Sequence, residues 1–145
     1  MSEETVELTL PLDEQKARSL KLGQIVTVSG RIFTGRSRFH IRVSEEGIAP
    51  PLDFSEVNCF FHVGPVMARD GQSWRVVSAE PTSSIRFGGY GAEVIRKCGL
   101  RTLIGKTTMG KAAVEALKEV GGVYLSKFAL CGNLLASQVP RVIEV

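Results

Sequence analysis

The stretch "RTLIGKTTMGKAAVEALKEVGGVYLSK", residues 101–127, limits the possible folds of this chain more than any other. It opens on "RTLIG", a short apolar strand signal, and runs through a loop bounded by Gly105 and Gly110. Met109, Ala113, Ala116, Leu117 and Val120 then recur at i, i+4, i+7, i+8 and i+11. That spacing predicts a helix over 109–120 with one apolar face. Lys111 and Glu115 fall one turn apart on its outer face. Two glycines follow, and "VYLSK" reads as strand again. A strand, a helix and a strand in succession need a sheet packed against helices to bury all their apolar faces.

The rest of the chain supplies the other strands. "TVELTL", residues 5–10, alternates apolar and polar and predicts a strand. "LDEQKARSLKLGQ" carries a weak helical or turn pattern ending at Gly23. "IVTVSGRIFTG", 25–35, is a strand or a bent strand pair broken at Gly30. "RSRFHIRV", 36–43, fits a short helix and a strand equally well. "EEGIAPPLDFSE" is a loop by its glycine and paired prolines. "VNCFFHVGPV", 57–66, and "SWRVVSAEP", 73–81, predict two strands that pair as a hairpin across "RDG". After the hydroxyls of "TSSIRF" comes a glycine cluster, then a helix over about 92–98 stopped by Gly99. "LCGNLLAS" predicts a short helix and "PRVIEV" a last strand. The first half is mostly β and the second alternates helix and strand. The expected class is α/β, a mixed sheet packed with helices.

Composition narrows the function. The chain of 145 residues is long enough to bury the core of one domain, expected to span 1–145. A net charge of +3, spread without a basic block, gives no reason to expect nucleic acid as a partner. No apolar run approaches the ~20 residues of a bilayer span, so no membrane partner is expected. The acidic start "MSEETVELTLPLDEQ" lacks the features of a secretion signal, and a cytoplasmic location is expected. Cys59, Cys98 and Cys131 are widely separated. With no clustered spacing they are poor ligands for zinc or an iron–sulfur cluster, and reduced thiols are expected.

The segment from Gly105 to Lys111 nearly matches the phosphate loop of nucleotide hydrolases. That loop requires Ser or Thr after the lysine to hold magnesium, and this chain has Ala112 there. The later strands also offer no Asp for the metal. What remains is a glycine-bounded loop before a helix, whose free N–H groups and dipole favour an anion, with Lys106 as counter-charge. A loop lysine that is simply solvated is the ordinary alternative. Two more stretches have the same character. "TGRSRFH" puts Thr34 and Arg36 at a strand end, and "EPTSSIRF" puts Thr82, Ser83 and Ser84 before Arg86. Arginine suits bidentate carboxylate binding. Together the three stretches suggest one site for an anionic small molecule.

In their order and spacing, "GRIFTGRSRFH", "FFHVGPV", "EPTSSIRF", "LIGKTTMGKAAVEAL" and "GGVYLSKFALCGNLLA" resemble the β subunit, or C-terminal domain, of class I iron–sulfur fumarate hydratases and L-tartrate dehydratases. The resemblance runs from about Leu8 to Val145. It implies a swivelling β/β/α domain, active only with a catalytic α subunit, as a heterodimer or α2β2 assembly. It implies a [4Fe–4S] cluster held by that partner α subunit on three cysteines, with one iron open to substrate, and no metal on this chain. The substrate would be a C4 dicarboxylate, and the reaction the reversible hydration of fumarate to L-malate in the tricarboxylic acid cycle. L-tartrate dehydration is the alternative, as is a non-catalytic dicarboxylate-binding module.

By the same resemblance, Arg36, Arg86 and Lys106 hold substrate carboxylates, and Thr82 is a candidate catalytic base with Lys106 beside it. The chain departs from the family pattern at Ser37, where Asp is usual, and at Phe39, Glu80 and Ser83. "KTTMG" replaces a more glycine-rich run, and the family domain continues past the position of Val145. The four site residues are untouched by these differences.

Overall fold

The computed structural model describes residues 5–127 and 131–145. In chain order, the first elements are β1 (Val6–Thr9), α1 (Glu14–Ser19), β2 (Val26–Ser29), β3 (Phe33–Thr34) and α2 (Ser37–Ser44). They are followed by β4 (Cys59–Phe61), β5 (Val66–Asp70), β6 (Ser73–Ser78) and a 3-10 turn at Ser84–Phe87. The chain then forms α3 (Gly88–Cys98), β7 (Thr102–Gly105), α4 (Lys111–Val120), β8 (Val123–Ser126) and α5 (Gly132–Ala136).

The central sheet is parallel, in the order β3-β4-β7-β8. Its strands are short, and their register aligns Phe33, Phe60, Leu103 and Tyr124 across one face. Side chains alternate faces along a strand. Phe60 and Leu103 therefore join the helix-side core with Phe87, Val94, Ile95, Ala113, Ala116 and Leu117. Cys59 points the other way, into a second core with Leu8, Leu10, Leu12 and Ala17 from β1, α1 and their connection. Ile104, Val123 and Leu125 face this second core. A strand buried on both faces reads as a continuous apolar run, which is why "CFF" shows no alternation.

Three layers result. The parallel pair β1–β2 with α1 covers one face of the central sheet, and α2, α3 and α4 cover the other. The antiparallel hairpin β5–β6 and α5 cluster around Phe61, Val63 and Ala79. Asn58 joins the first layer to the second. Its side chain accepts from Leu12 N–H at 3.0 Å and donates to Leu12 O at 2.8 Å, while its carbonyl accepts from Arg101 and Thr102 N–H. Helices α3 and α4 meet closely at Gly91, where a Cβ would strike the Met109 methyl. Among the described residues, no helix is long and apolar enough to cross a membrane.

The mixed α/β class and the strand–helix–strand unit of 101–127 are as expected. "RSRFHIRV" resolves to helix α2. "IVTVSGRIFTG" resolves to two strands in different sheets. The hairpin differs from expectation. Its first arm is Val66–Asp70, not 57–66, because Gly64 and Pro65 end the buried run and β4 takes parallel partners far away in sequence. Helix α3 starts at Gly88, earlier than expected, because its glycines fit against Met109. "PRVIEV" forms no strand: Ile143 and Val145 are exposed, and among the described residues no strand pairs with them. The predicted helix "LCGNLLAS" is α5, its first residue lying outside the described residues.

Candidate functional site

In a parallel sheet all strands end on one edge, and ligands bind beyond those carboxyl ends. The sequence-predicted residues gather there. Arg36 follows the end of β3 and immediately precedes α2; its neighbour Gly35 donates to Phe61 O at the end of β4 at 3.3 Å. Thr82 N–H donates to His62 O, one residue past β4, at 2.7 Å. Ser83 bridges in parallel to Lys106, one residue past β7, and Ser84 N–H donates to Lys106 O at 2.7 Å. Arg86 N–H returns to Ser83 O at 3.3 Å. Arg86 thus stands in a 3-10 turn fixed to the sheet edge, not at a strand end as its sequence neighbours suggested. Backbone contacts through Ser83 and Ser84 tie Arg86 to Lys106, Thr82 is tied to the residue past β4, and Gly35, beside Arg36, to the end of β4. The three cations are exposed and Thr82 is half-buried.

Glycines make two close approaches possible. The Arg36 side chain passes over Gly64, where a Cβ would meet Arg36 Cδ. At Gly105, a Cβ would overlap Ser84 Oγ and Tyr124 Oη. Gly105→Ala is accordingly expected to destabilise the chain by roughly 1–3 kcal/mol through overpacking. A lower urea midpoint at unchanged slope is the check; an unchanged midpoint would contradict the contact.

The loop after β7 joins the sheet edge to α4 through two unusual backbone positions. Thr107 has φ 65°, a left-handed conformation uncommon for a branched residue. Gly110 caps α4 with φ 87° and no side-chain cap bond. The first amides of α4, like those of α2, open on the edge that carries Lys106 and Arg36. Lys111 is exposed on α4, and Glu115 pairs with Lys118 at 3.1 Å. An apolar cleft of about 290 Å³ lies beside the loop, lined by Thr107, Met109, Val114, Leu117 and Tyr124. None of the four predicted site residues lines it. Their site is an open edge.

Sequence reasoning missed what lies beneath this edge. His40 and His62 are both fully buried, with ring centroids 5.1 Å apart. His62 Nδ1 lies 2.8 Å from Ser84 Oγ, which also accepts from Tyr124 Oη at 3.0 Å and Lys106 N–H at 3.3 Å. His40 Nδ1 lies 3.1 Å from Arg36 O. A partial sequence signal was present: His62 sits in the apolar run "CFFHV", and His40 four residues after Arg36. It pointed to burial rather than to a role.

Burial, and then the neighbouring His40, push the His62 imidazole down to about 3; burial lowers His40 as well. Both rings are therefore neutral in the folded chain at neutral pH. Unfolded, they bind protons below about pH 6.5. The unfolded state then holds more protons, so stability falls as pH drops from about 6.5 toward the depressed folded values. For one proton the slope is about 1.4 kcal/mol per pH unit. Urea unfolding at pH 7 and pH 5 is expected to show a loss of roughly 2 kcal/mol or more at pH 5. A flat profile would contradict neutral buried histidines.

The thiols do not fit a cluster. Cys59 and Cys98 are buried on opposite faces of the central sheet, with burial raising them to about 12 and about 11. Cys131 is exposed. Among the described residues, no group of three or more His, Cys, Asp or Glu could hold a metal ion.

A model of the fumarase C-terminus family matches residues 1–144. A Geobacillus stearothermophilus protein whose name is that of a class I fumarate hydratase is 38% identical over 138 residues, covering 94% of this chain and 26% of that protein. A Methanocaldococcus jannaschii protein named as an L(+)-tartrate dehydratase subunit beta is 33% identical, covering 92% of this chain and 70% of that subunit. The L(+)-tartrate dehydratase subunit beta of Escherichia coli K12 is 29% identical, covering 95% of this chain and 68% of that subunit. The chain thus spans about a quarter of the first relative and about two thirds of the other two. With the matching residues extending over nearly its whole length, the chain belongs to the fumarase C-terminus family.

Proposed function

We propose that this chain is the β-type part of a class I fumarate hydratase, hydrating fumarate to L-malate reversibly together with an α subunit that carries the [4Fe–4S] cluster. The observation that carries this reading is the convergence of Arg36, Arg86, Lys106 and Thr82 on one open sheet edge. Three cations suit a substrate with two carboxylates and one further developing charge. Proton removal beside a carboxylate builds negative charge on it, and fixed cations aimed there stabilise the transition state most. Thr82 is the proposed base. A threonine hydroxyl is a poor base alone, so the adjacent cations must favour its deprotonated form.

The edge is open on this chain. A small diacid bound there needs a second surface to exclude water, which supports a site completed by a partner subunit. The domain is proposed to swivel against that partner as the substrate enters. L(+)-tartrate dehydration is supported equally by the names of two relatives. L-malate and L-tartrate differ in a hydroxyl, and the proposed contacts of this edge read carboxylates.

Arg36→Lys and Arg86→Lys each remove a planar fork while keeping the charge. Each is expected to cost at least about tenfold in kcat/KM of the complete enzyme, roughly 1.4 kcal/mol. Anaerobic assays with fumarate, L-malate and L-tartrate check this and rank the substrates. Unchanged kinetics in both variants would remove the arginines from the site.

A further inference from the structure

Ser84 Oγ has one proton to give and two lone pairs. Tyr124 O–H and Lys106 N–H occupy the lone pairs, so the Ser84 proton goes to His62 Nδ1. A neutral His62 then carries its own proton on Nε2. His40 is the reverse. Its Nδ1 faces the Arg36 carbonyl, which can only accept, so Nδ1 donates and Nε2 keeps a lone pair. Neither Nε2 has a hydrogen-bond partner among the described residues, although both atoms are buried. One donor and one acceptor are thus left on adjacent rings.

Both rings are wedged by aromatic neighbours. Phe87 stacks on His40 at 4.5 Å and meets His62 at 4.8 Å, and Phe60 lies 5.4 Å and 4.8 Å from the two rings. This is a costly place for polar groups with a single neutral partner each. A core serving packing alone would be cheaper to build from phenylalanine or leucine. What the two rings do have in common is their far ends: His62 reaches the Lys106 backbone through Ser84, and His40 reaches the Arg36 backbone directly.

We propose that His62 and His40 are positioning residues, oppositely tautomeric, that fix the backbone of Lys106 and Arg36 from beneath the sheet edge. The role in turnover rests on the dicarboxylate reading of that edge; the tautomers do not. Misplacing a binding group by an ångström can cost a hundredfold. The arrangement gives two long side chains on different strands one rigid footing, as a supporting hydrogen-bond shell does elsewhere.

Two measurements test this. The first is long-range proton–nitrogen NMR of the isotope-labelled chain at pH 7. His62 is expected as the neutral Nε2–H tautomer and His40 as the neutral Nδ1–H tautomer, with Ser84→Ala turning the His62 signal into a tautomer mixture. The opposite tautomers, a charged ring, or no response to Ser84→Ala would overturn the proposal, whatever the substrate. The second is kinetics of the complete enzyme with its C4 dicarboxylate. His62→Leu is expected to lower kcat/KM at least about tenfold, with part of the loss in kcat because Lys106 meets developing charge. His62→Asn, whose amide oxygen can replace Nδ1 as the acceptor, is expected within about threefold of the parent. Equal loss in the Leu and Asn variants would overturn the positioning role. If NMR gives the expected tautomers and the parent enzyme turns over no C4 dicarboxylate, the proposal stands for the backbone and the dicarboxylate reading falls.

Discussion

Lys106→Met is expected to remove most turnover of the complete enzyme, about a hundredfold or more in kcat/KM. Losing one preorganised group that meets developing charge typically costs 10²–10³-fold, about 2.7–4 kcal/mol. Lys106 stands at the end of β7, exposed, with its backbone held by Ser84 on both its N–H and C=O sides. Methionine matches the length of the stem and removes the charge, so the loop keeps its shape. Lys111→Met is the internal control. Lys111 is the first residue of α4 and points to solvent, and its loss is expected to leave kcat/KM within about twofold. A nucleotide loop predicts the reverse order, because Lys111 occupies its phosphate-binding position. Steady-state rates of the two variants, measured side by side, decide between the readings.

Phe60→Ala is expected to have the largest effect on stability, about 3–5 kcal/mol. Phe60 is fully buried on the central strand β4. Its ring stacks on Phe33 at 4.6 Å and lies 4.7 Å from Phe39. It also touches both buried histidines, so the cavity would open beneath the site as well as inside the core. Neighbouring aromatic rings cannot easily collapse into such a void. Urea unfolding by circular dichroism checks the magnitude. A loss under about 1 kcal/mol would mean that β4 is not the centre of the core.

The strand–helix–strand unit was legible because its information is local. Met109, Ala113, Ala116 and Leu117 mark one helical face and are all buried. Gly99 and Gly121 end their helices in left-handed conformations, as glycine after a periodic run predicts. The hairpin was misread for the opposite reason. "CFF" and "WRVV" look alike as strand signals. Only tertiary pairing with Phe33 and Leu103 assigns the first to the parallel sheet. "VIEV" has strand composition and no partner strand among the described residues, and composition alone cannot supply one.

The site was legible as separate fragments. Residue type and resemblance single out Arg36, Thr82, Arg86 and Lys106, and the parallel topology explains why 69 residues of intervening chain do not separate Arg36 from Lys106: each follows a strand, β3 or β7, that pairs with β4. The histidine layer was not legible. His40 and His62 are 22 residues apart, and nothing in one sequence says that two distant histidines share a ring contact. In the sequence Ser84 is one of three hydroxyls before Arg86, with Thr82 the candidate base. It is the one buried at the junction of Lys106, His62 and Tyr124.

The central claim is that this sheet edge supplies the cations of a C4-dicarboxylate site. An anaerobic crystal structure of the complete enzyme with its dicarboxylate bound tests it most directly. The account predicts substrate carboxylate oxygens at hydrogen-bond distance, about 2.7–2.9 Å, from Arg36, Arg86 and Lys106. A dicarboxylate bound elsewhere, with these three side chains still facing bulk water, would contradict it.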